Sequence, residues 1–384
     1  MTDVRQADEF TANIHGRISD IPKADWEAYL KDRPHPLMSW EFLNALEESG
    51  CVTEETGWAP RHIWLKDNQG RTHGCAPLYA KTHSRGEYVF DHAWADALYR
   101  AGGTYYPKLQ SCIPFTPVEG PRLLAQTHAA QNALIKAMLS VAHQHNYSSL
   151  HLTFLNTRER STLEQAGLLI RQDRQFHFIN RDYQNFDGFL ASLTSRKRKN
   201  IRKERKAAQD GIMIKRLIGD DIKPEHWDIF YQCYLDTSAR KWGQPYLNRE
   251  FFTRIHETIR DNILLIIAYA DATPIAAALN FIGHKTLYGR NWGALAHKPF
   301  LHFELCYYQA IEAALYMGFD KVEAGAQGEH KLARGYEPVP TYSAHFIAHG
   351  GLRAAVEDYV TRERHAVDYE INRLGEHTPF KKVD

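Results

Sequence analysis

The sequence predicts an α/β (α+β) protein built as two similar mixed domains, and three observations carry that prediction. Its 384 residues suffice for two domains of ordinary size, each with its own core. Apolar runs of strand character alternate with segments of helical spacing along the chain. One order of parts, a helix, a hairpin, a helix and a strand, also occurs twice.

In the first half, Lys23 to Cys51 is helical: Trp26, Tyr29 and Leu30, then Trp40, Phe42, Leu43 and Leu46, recur at spacings near three and four, and Pro34 and Pro36 divide the stretch into two helices. His62 to Leu65, a turn at Asp67-Asn68-Gln69-Gly70, and Gly74 to Ala80 predict a strand, hairpin and strand. Tyr88 to Pro121, rich in aromatic, Gly and Pro residues, leaves two readings open, a pocket lining and a buried connection. A helix from Ala129 to His145 leads into a strand at Ser149 to Phe154.

The second half repeats this order. Glu250-Phe251-Phe252 opens a helix, Ile263 to Ala270 and Ile275 to Ile282 flank a turn at Asp271-Ala272-Thr273-Pro274, and Thr286 to Gly293 is a further strand. A helix from Phe303 to Met317 is stopped by Gly318 before a strand at Lys321 to Ala324. A boundary between Asn180 and Asn185 gives an N-terminal domain over 1–182 and a C-terminal domain over 183–384.

Composition narrows the function classes. Lys+Arg 47 against Asp+Glu 46 leaves net charge +1, so any attraction to nucleic acid is local, and DNA is not an expected partner. Cys51, Cys75, Cys112, Cys233 and Cys306 are scattered and lack CxxC spacing, which speaks against a disulfide framework or structural zinc and fits a reducing cytoplasm. Met1-Thr2-Asp3-Val4-Arg5-Gln6-Ala7-Asp8 has no apolar signal core, and no segment reaches the roughly 18 apolar residues of a membrane span. The reading is a cytoplasmic protein without a transmembrane segment, its oligomeric state left open.

Two segments carry charge in unusual patterns. Over 194–209 a helix presents Arg196, Lys197, Lys199, Arg202 and Lys203 beside a thin apolar stripe of Leu190, Leu193, Ile201 and Ala208, with Glu204 the one acid among the basic residues. A solvated helix surface is the bland reading; the single sign of the run favours an anionic partner. From Glu323 to Pro338, glycines at 325, 328 and 335 space Glu329, His330, Lys331 and Arg334, a mixture that a core does not need. Its bland reading is a charged loop after a strand.

Three segments together, SRKRKNIRKE after Leu193, FLHFELCYYQAIEAAL and GAQGEHKLARGYEP, resemble the FemAB-like N-acyltransferases of the acetyltransferase (GNAT) superfamily, and the resemblance covers nearly the whole chain. It implies tandem GNAT-like domains, each a mixed, mostly antiparallel sheet flanked by helices. It also implies transfer of an acyl or aminoacyl group from an activated donor to an amine. Well-understood relatives pass an aminoacyl group from charged tRNA to a peptidoglycan precursor. The co-substrate is then aminoacyl-tRNA or acyl-CoA, with no certain cofactor, and the partner is tRNA or a phosphorylated small molecule. The chain departs from acyl-CoA enzymes at His297-Lys298-Pro299-Phe300-Leu301-His302, which lacks the glycines of a pyrophosphate loop.

Amide formation needs a base for the amine, a donor for the carbonyl oxygen and a proton for the leaving group. Glu329 or His330 supplies the base. On the strand Thr286 to Gly293, alternation places Thr286, Tyr288, Arg290 and Trp292 on one face, Tyr288 as acid and Arg290 for a phosphate or carboxylate, with core packing the bland reading of Tyr288 and Trp292. Lys298 and His302, before the helix at Phe303, form a second anion site, and Lys331 and Arg334 complete the substrate-binding set. No metal is expected, since His92, His302 and His330 stand at no ligand spacing. Two other readings remain: an acyl-CoA-dependent transferase with an atypical loop, and a non-catalytic module binding a cell-wall precursor or RNA.

Overall fold

The computed structural model describes residues 10–241, 244–325 and 328–381. Contacts divide the chain into two compact units. The first comprises the described residues up to Pro34, Met38–Asp173 and Thr341–His365; the second comprises His35–Leu37, Arg174–Pro340 and the residues from Ala366 onward. This division differs from a single boundary near residue 182, because two strands, one from each half of the sequence, join sheets in an order the sequence does not announce. In the first unit, Ser343–Ile347 pairs antiparallel with Ser149–Thr153. In the second, His177–Ile179 pairs antiparallel with Lys321–Glu323. Each sheet is thus completed by a strand from the other half of the sequence.

The main sheet of the first unit runs Trp58–Pro60, Tyr79–Lys81, Lys108–Ser111, Ser149–Thr153, then 341–347, and only the Lys108–Ser111 and Ser149–Thr153 neighbours are parallel. Helix His128–Gln144 makes that crossover, its first turn capped by Thr127, whose side chain accepts from the Ala130 N–H. Leu134, Ile135, Met138 and Val141 of this helix pack on Leu109, Leu150, Leu152 and Ala344 of the sheet. Strand alternation sends the intervening residues to the opposite face, and there the sheet is polar: Lys81, Lys108, Gln110, Ser149, His151, Thr153, Ser343 and His345 are all buried, none more than 3% exposed. The aromatic stretch after Tyr88 covers this face. Tyr105 bonds His151 through its hydroxyl at 3.1 Å, and Trp94, on helix His92–Arg100, meets His345 edge-on.

The sheet of the second unit runs 174–179, Lys321–Glu323, Thr286–Ala294, Thr273–Ile282, Ile263–Ala270, Ile212–Ile218, again with one parallel pair, Thr286–Ala294 beside Lys321–Glu323. A helical segment over 301–316 joins these two strands and buries Leu305, Tyr308, Ile311 and Leu315 against Leu264, Ile266, Ala276, Leu287 and Val322. On the other face, helix Pro224–Lys241 presses so closely on the sheet that a Cβ at Gly293 would lie 1.9 Å from the Cys233 carbonyl oxygen. Both units are mixed, mostly antiparallel sheets flanked by helices, as the sequence predicts.

Candidate functional site

The parallel strands of the second unit stay paired for three residues only, Thr286 with Lys321, Leu287 with Val322 and Tyr288 with Glu323. Where they part, a cleft opens, lined from the sheet by Asn280, Gly289, Arg290, Trp292 and Ala324 and from the helix by His302, Cys306 and Tyr307. Over Glu304–Tyr308 that helix widens to π winding, a departure that recurs at functional sites, and Cys306 and Tyr307 stand within the wide turn. Trp292 and His302 also border an adjoining cleft of about 320 Å³ that reaches His297, Lys298 and Phe300.

One sequence expectation is corrected here. Pairing with the neighbouring strand shifts between Leu279 and Asn280, so that Asn280 faces Gly289 while Leu279 faces Asn291, and Arg290 is the extra residue of a β-bulge. The bulge inverts the alternation. Leu287 and Trp292 both face the helix-side core. Tyr288 points the other way, its ring 5.0 Å from that of His35. Arg290 and Trp292 line the cleft, and Tyr288 does not share their face.

The glycine-spaced stretch folds into a short 3-10 helix at Glu329–Arg334; Ala326 and Gln327 lie outside the described residues. Its four ionisable residues have separate fates. The Glu329 side chain is 64% exposed and 3.9 Å from Arg174, turned to solvent. His330 meets the Tyr307 hydroxyl through Nε2 at 2.9 Å, with its ring 6.2 Å from that of His302. Gly328, at φ +116°, makes this seat, since a Cβ there would lie 2.3 Å from His330 Cε1. Lys331 is 1% exposed and donates to the Gly325 carbonyl at 2.8 Å. Burial pushes its pKa down to about 8; of the two cleft residues that act on it, Arg290 works in the same direction and Cys306 against it. Arg334 is a bracket. It donates to both Glu204 carboxylate oxygens at 3.0 Å and to the His330 carbonyl at 2.7 Å, while its guanidinium lies 3.4 Å over the Phe303 ring. Replacing Arg334 with Ala should therefore cost about 2–3 kcal/mol, read as a lowered urea midpoint, because a half-buried carboxylate loses its charged partner.

Lys298 and His302 meet on the wall of the adjoining cleft, and Lys298 also donates to the Asp210 carbonyl at 2.7 Å. The basic helix, Ser195–Gln209, sorts its charges by direction. Glu204 turns inward to Arg334 and Tyr308, and Arg205 turns inward to the fully buried Glu304 and to Glu312. Arg196, Lys199, Arg202, Lys203 and Lys206 are exposed and, at 100° per residue, fall within about 120° of the circumference. Lys197 is half-buried and, roughly 100° on from Arg196, lies on the side of the helix that carries Ile201 and Ala208. Among the described residues Arg196, Lys197, Lys199 and Lys203 make no ion pair, and Arg202 makes a loose one with the exposed Asp187 at 3.7 Å. Thr194 occupies the N-cap without a side-chain capping bond. The surface is thus cationic without interruption, the one acid being spent on the fold.

The FemAB-like family, described as peptidoglycan biosynthesis/recognition, matches residues 17–382. The chain belongs to the FemAB-like family. Its fold is shared with FemX, at 14% identity over 91% of this chain and 100% of that chain, TM-score 0.55. It is shared too with the C-terminal domain of a putative lysylphosphatidylglycerol synthetase from Agrobacterium fabrum, at 10% identity over 87% and 94%, TM-score 0.54. L-PGS from Bacillus licheniformis matches at 11% identity over 89% and 96%, TM-score 0.51. No curated protein sequence matches the chain. Among its described residues, no helix is long and apolar enough to cross a membrane.

Sequence reasoning on this FemAB-like chain missed Asn280, Cys306 and Tyr307. Tyr307 fits the apolar stripe of its helix and reads as packing, and only the run of polar-capable side chains in Cys306-Tyr307-Tyr308-Gln309 hints at a second use.

Proposed function

We propose that this chain is an N-acyltransferase that passes an aminoacyl group from charged tRNA to an amine of a peptidoglycan precursor. The observation that carries the reading is the cleft where two parallel strands separate, with Arg290 and Tyr307 on its wall and the buried Lys331 behind. In this reading the donor ester lies in the cleft. Arg290 and Lys331 oppose the negative charge that gathers on the carbonyl oxygen, a contribution of roughly 10²- to 10³-fold in rate per donor. Tyr307, its pKa raised by burial and so protonated, gives its proton to the departing ribose oxygen, and His330 behind it restores the proton. Trp292, His302 and Lys298 hold the terminal nucleotide, and the cationic face from Arg196 to Lys206 follows the phosphate backbone.

Acyl-CoA fits less well. Pro299 has no N–H, and the Leu301 N–H is directed to the Lys298 carbonyl at 3.3 Å, so the backbone before this helix has few donors left for a pyrophosphate. A module that only binds would gain nothing from a buried lysine beside the cleft.

The test compares thermal protection by aminoacylated tRNA, uncharged tRNA and an acyl-CoA panel. Aminoacylated tRNA should raise the melting temperature most, and protection by acyl-CoA alone would overturn the reading. Substituting Arg196, Lys199 and Lys203 by Ala should flatten the plot of log affinity against log salt, by about 0.7 for each single-strand phosphate no longer neutralised or about 0.9 for each duplex phosphate. An unchanged slope would remove this helix from the tRNA path.

A further inference from the structure

On the sheet face turned away from helix 301–316, one register crosses three strands: His177, Glu323 and Tyr288 are successive cross-strand partners. Their neighbours Phe176, Phe178, Val322 and Leu287 all enter the helix-side core, so alternation sends these three side chains to the other side, where His35 lies against Tyr288. Glu323 is 2% exposed. Its Oε1 is 2.7 Å from Lys321 Nζ, and its Oε2 has no hydrogen-bond partner among the described residues. Leaving such an acceptor unmet costs about 1–3 kcal/mol, which a position selected for packing alone would avoid. The place is also particular. The pair Tyr288–Glu323 is the last before the strands part, and a Cβ at Gly289, the first residue of the opening, would lie 3.4 Å from the Glu323 carbonyl oxygen.

We propose that Glu323 receives the acceptor, a protonated primary amine, from the sheet face opposite the donor and takes the proton that frees the amine for attack. The assignment rests on the acyl-transfer reading and adds to it the acceptor side of the reaction. A donor held in the cleft presents its carbonyl through the gap between the strands, and the acceptor comes to it from the face opposite helix 301–316, the face that His35 meets at Tyr288 and helix Pro224–Lys241 meets at Gly293. One ammonium proton passes to Glu323, the nitrogen lone pair forms the C–N bond, and the bond from carbon to ribose oxygen breaks. The second nitrogen proton replenishes His330, which restores the one Tyr307 gives to the departing oxygen. Burial alone would raise the Glu323 pKa, but His177 and Lys321 outweigh it and hold the carboxyl below its ordinary value, so it is ionised and ready for a cation. His177 and Tyr288 flank it as positioning residues.

The experiment uses the full chain, charged tRNA as donor and two nucleophiles in parallel: a peptidoglycan stem peptide with a free side-chain amine, and hydroxylamine, which is already unprotonated at neutral pH. Glu323→Gln should slow transfer to the peptide amine by roughly 10²- to 10⁴-fold while leaving transfer to hydroxylamine within a few-fold of wild type. Equal loss with both nucleophiles would mean a structural role, and loss with neither would mean no role; either overturns the assignment. If the Gln variant fails to fold, Glu323→Asp is measured, with the same selectivity expected at smaller size. Wild-type protein that transfers to neither nucleophile overturns the acyl-transfer reading itself, and the assignment falls with it.

Discussion

Replacing Lys108 with Met is expected to cost about 3–5 kcal/mol of folding stability at neutral pH, measured by urea unfolding. Lys108 is fully buried on the polar face of the first unit's sheet, 2.7 Å from Glu87 Oε2 and bonded as well to Asp91. Asp91 also accepts from the Tyr105 hydroxyl at 2.7 Å, and the ring of His151 stands 3.7 Å away. Burial presses the Asp91 carboxyl upward, but the Lys108 charge more than offsets this and holds its pKa well below the usual range, while burial keeps that of Glu87 raised. Without the lysine, the desolvated Asp91 carboxyl loses its cation, and Glu87 keeps only Lys81, 3.7 Å from its Oε1 and pushed down by burial to a pKa of about 7. The pH dependence gives an independent check. In the wild type, the depressed Asp91 value contributes stability above the unfolded carboxylate pKa and loses it as pH falls through the folded one. In the variant burial acts on Asp91 without the Lys108 charge to offset it, so its contribution is present at low pH and is lost as pH rises. The gap between the two proteins should therefore narrow toward pH 4. The triple change Lys108→Met, Glu87→Gln, Asp91→Asn should recover part of the loss, because it removes both carboxylates, while Lys81, already lowered by burial to a pKa of about 7, loses its partner Glu87 and sheds its proton. A single-variant cost under about 1 kcal/mol at pH 7 would show that water reaches these carboxylates.

This network also shows where the sequence stops being legible. Lys81 and Lys108 look like surface residues, and only the fold reveals that strand alternation buries them under the aromatic stretch. The apolar strands Ile263–Ala270 and Thr273–Ile282 and the helix His128–Gln144 could be read directly, because an apolar period leaves few alternatives. Leu169–Ile179 could not. Its centre, Arg171-Gln172-Asp173-Arg174-Gln175, is polar throughout, yet Gln172 and Gln175 are buried. Tyr336–Ile347 is obscured by Pro338 and Pro340. Since these two strands complete the sheets, missing them moved the boundary between the halves. In the candidate site, the glycine spacing led to His330 and Lys331, but the outward turn of Glu329 depends on the 3-10 winding, and the reversal at Arg290 depends on a one-residue bulge. Neither leaves a periodic trace. Glu323 is visible as the end of a strand, and the unmet oxygen of its carboxylate emerges only from packing.

Lys331→Met is expected to make the protein more stable and less active at once. Lys331 carries its charge at neutral pH inside the second unit, where burial holds its pKa near 8 against an ordinary 10.5. At about 1.4 kcal/mol per pH unit, that displacement corresponds to a folding penalty on the order of 3 kcal/mol. Some of the gain is returned when the bond to the Gly325 carbonyl is lost, leaving a net stabilisation of about 1–2 kcal/mol at pH 7. The sign follows from proton counts. Below pH 8 the lysine is protonated in both folded and unfolded chains, and the penalty is present in full. Between pH 8 and 10.5 the unfolded chain binds the extra proton, so wild-type stability climbs with pH and the advantage of the Met variant shrinks toward zero. Transfer should fall by at least roughly 10²-fold in the same variant, the cost of removing a cation placed for the carbonyl oxygen. A Met variant less stable than wild type at pH 7 would make this lysine part of the packing. Increased stability with unchanged transfer would instead mean that a destabilising charge is kept for something other than this reaction. Only the opposed pair of effects fits a residue that the fold tolerates because the chemistry uses it.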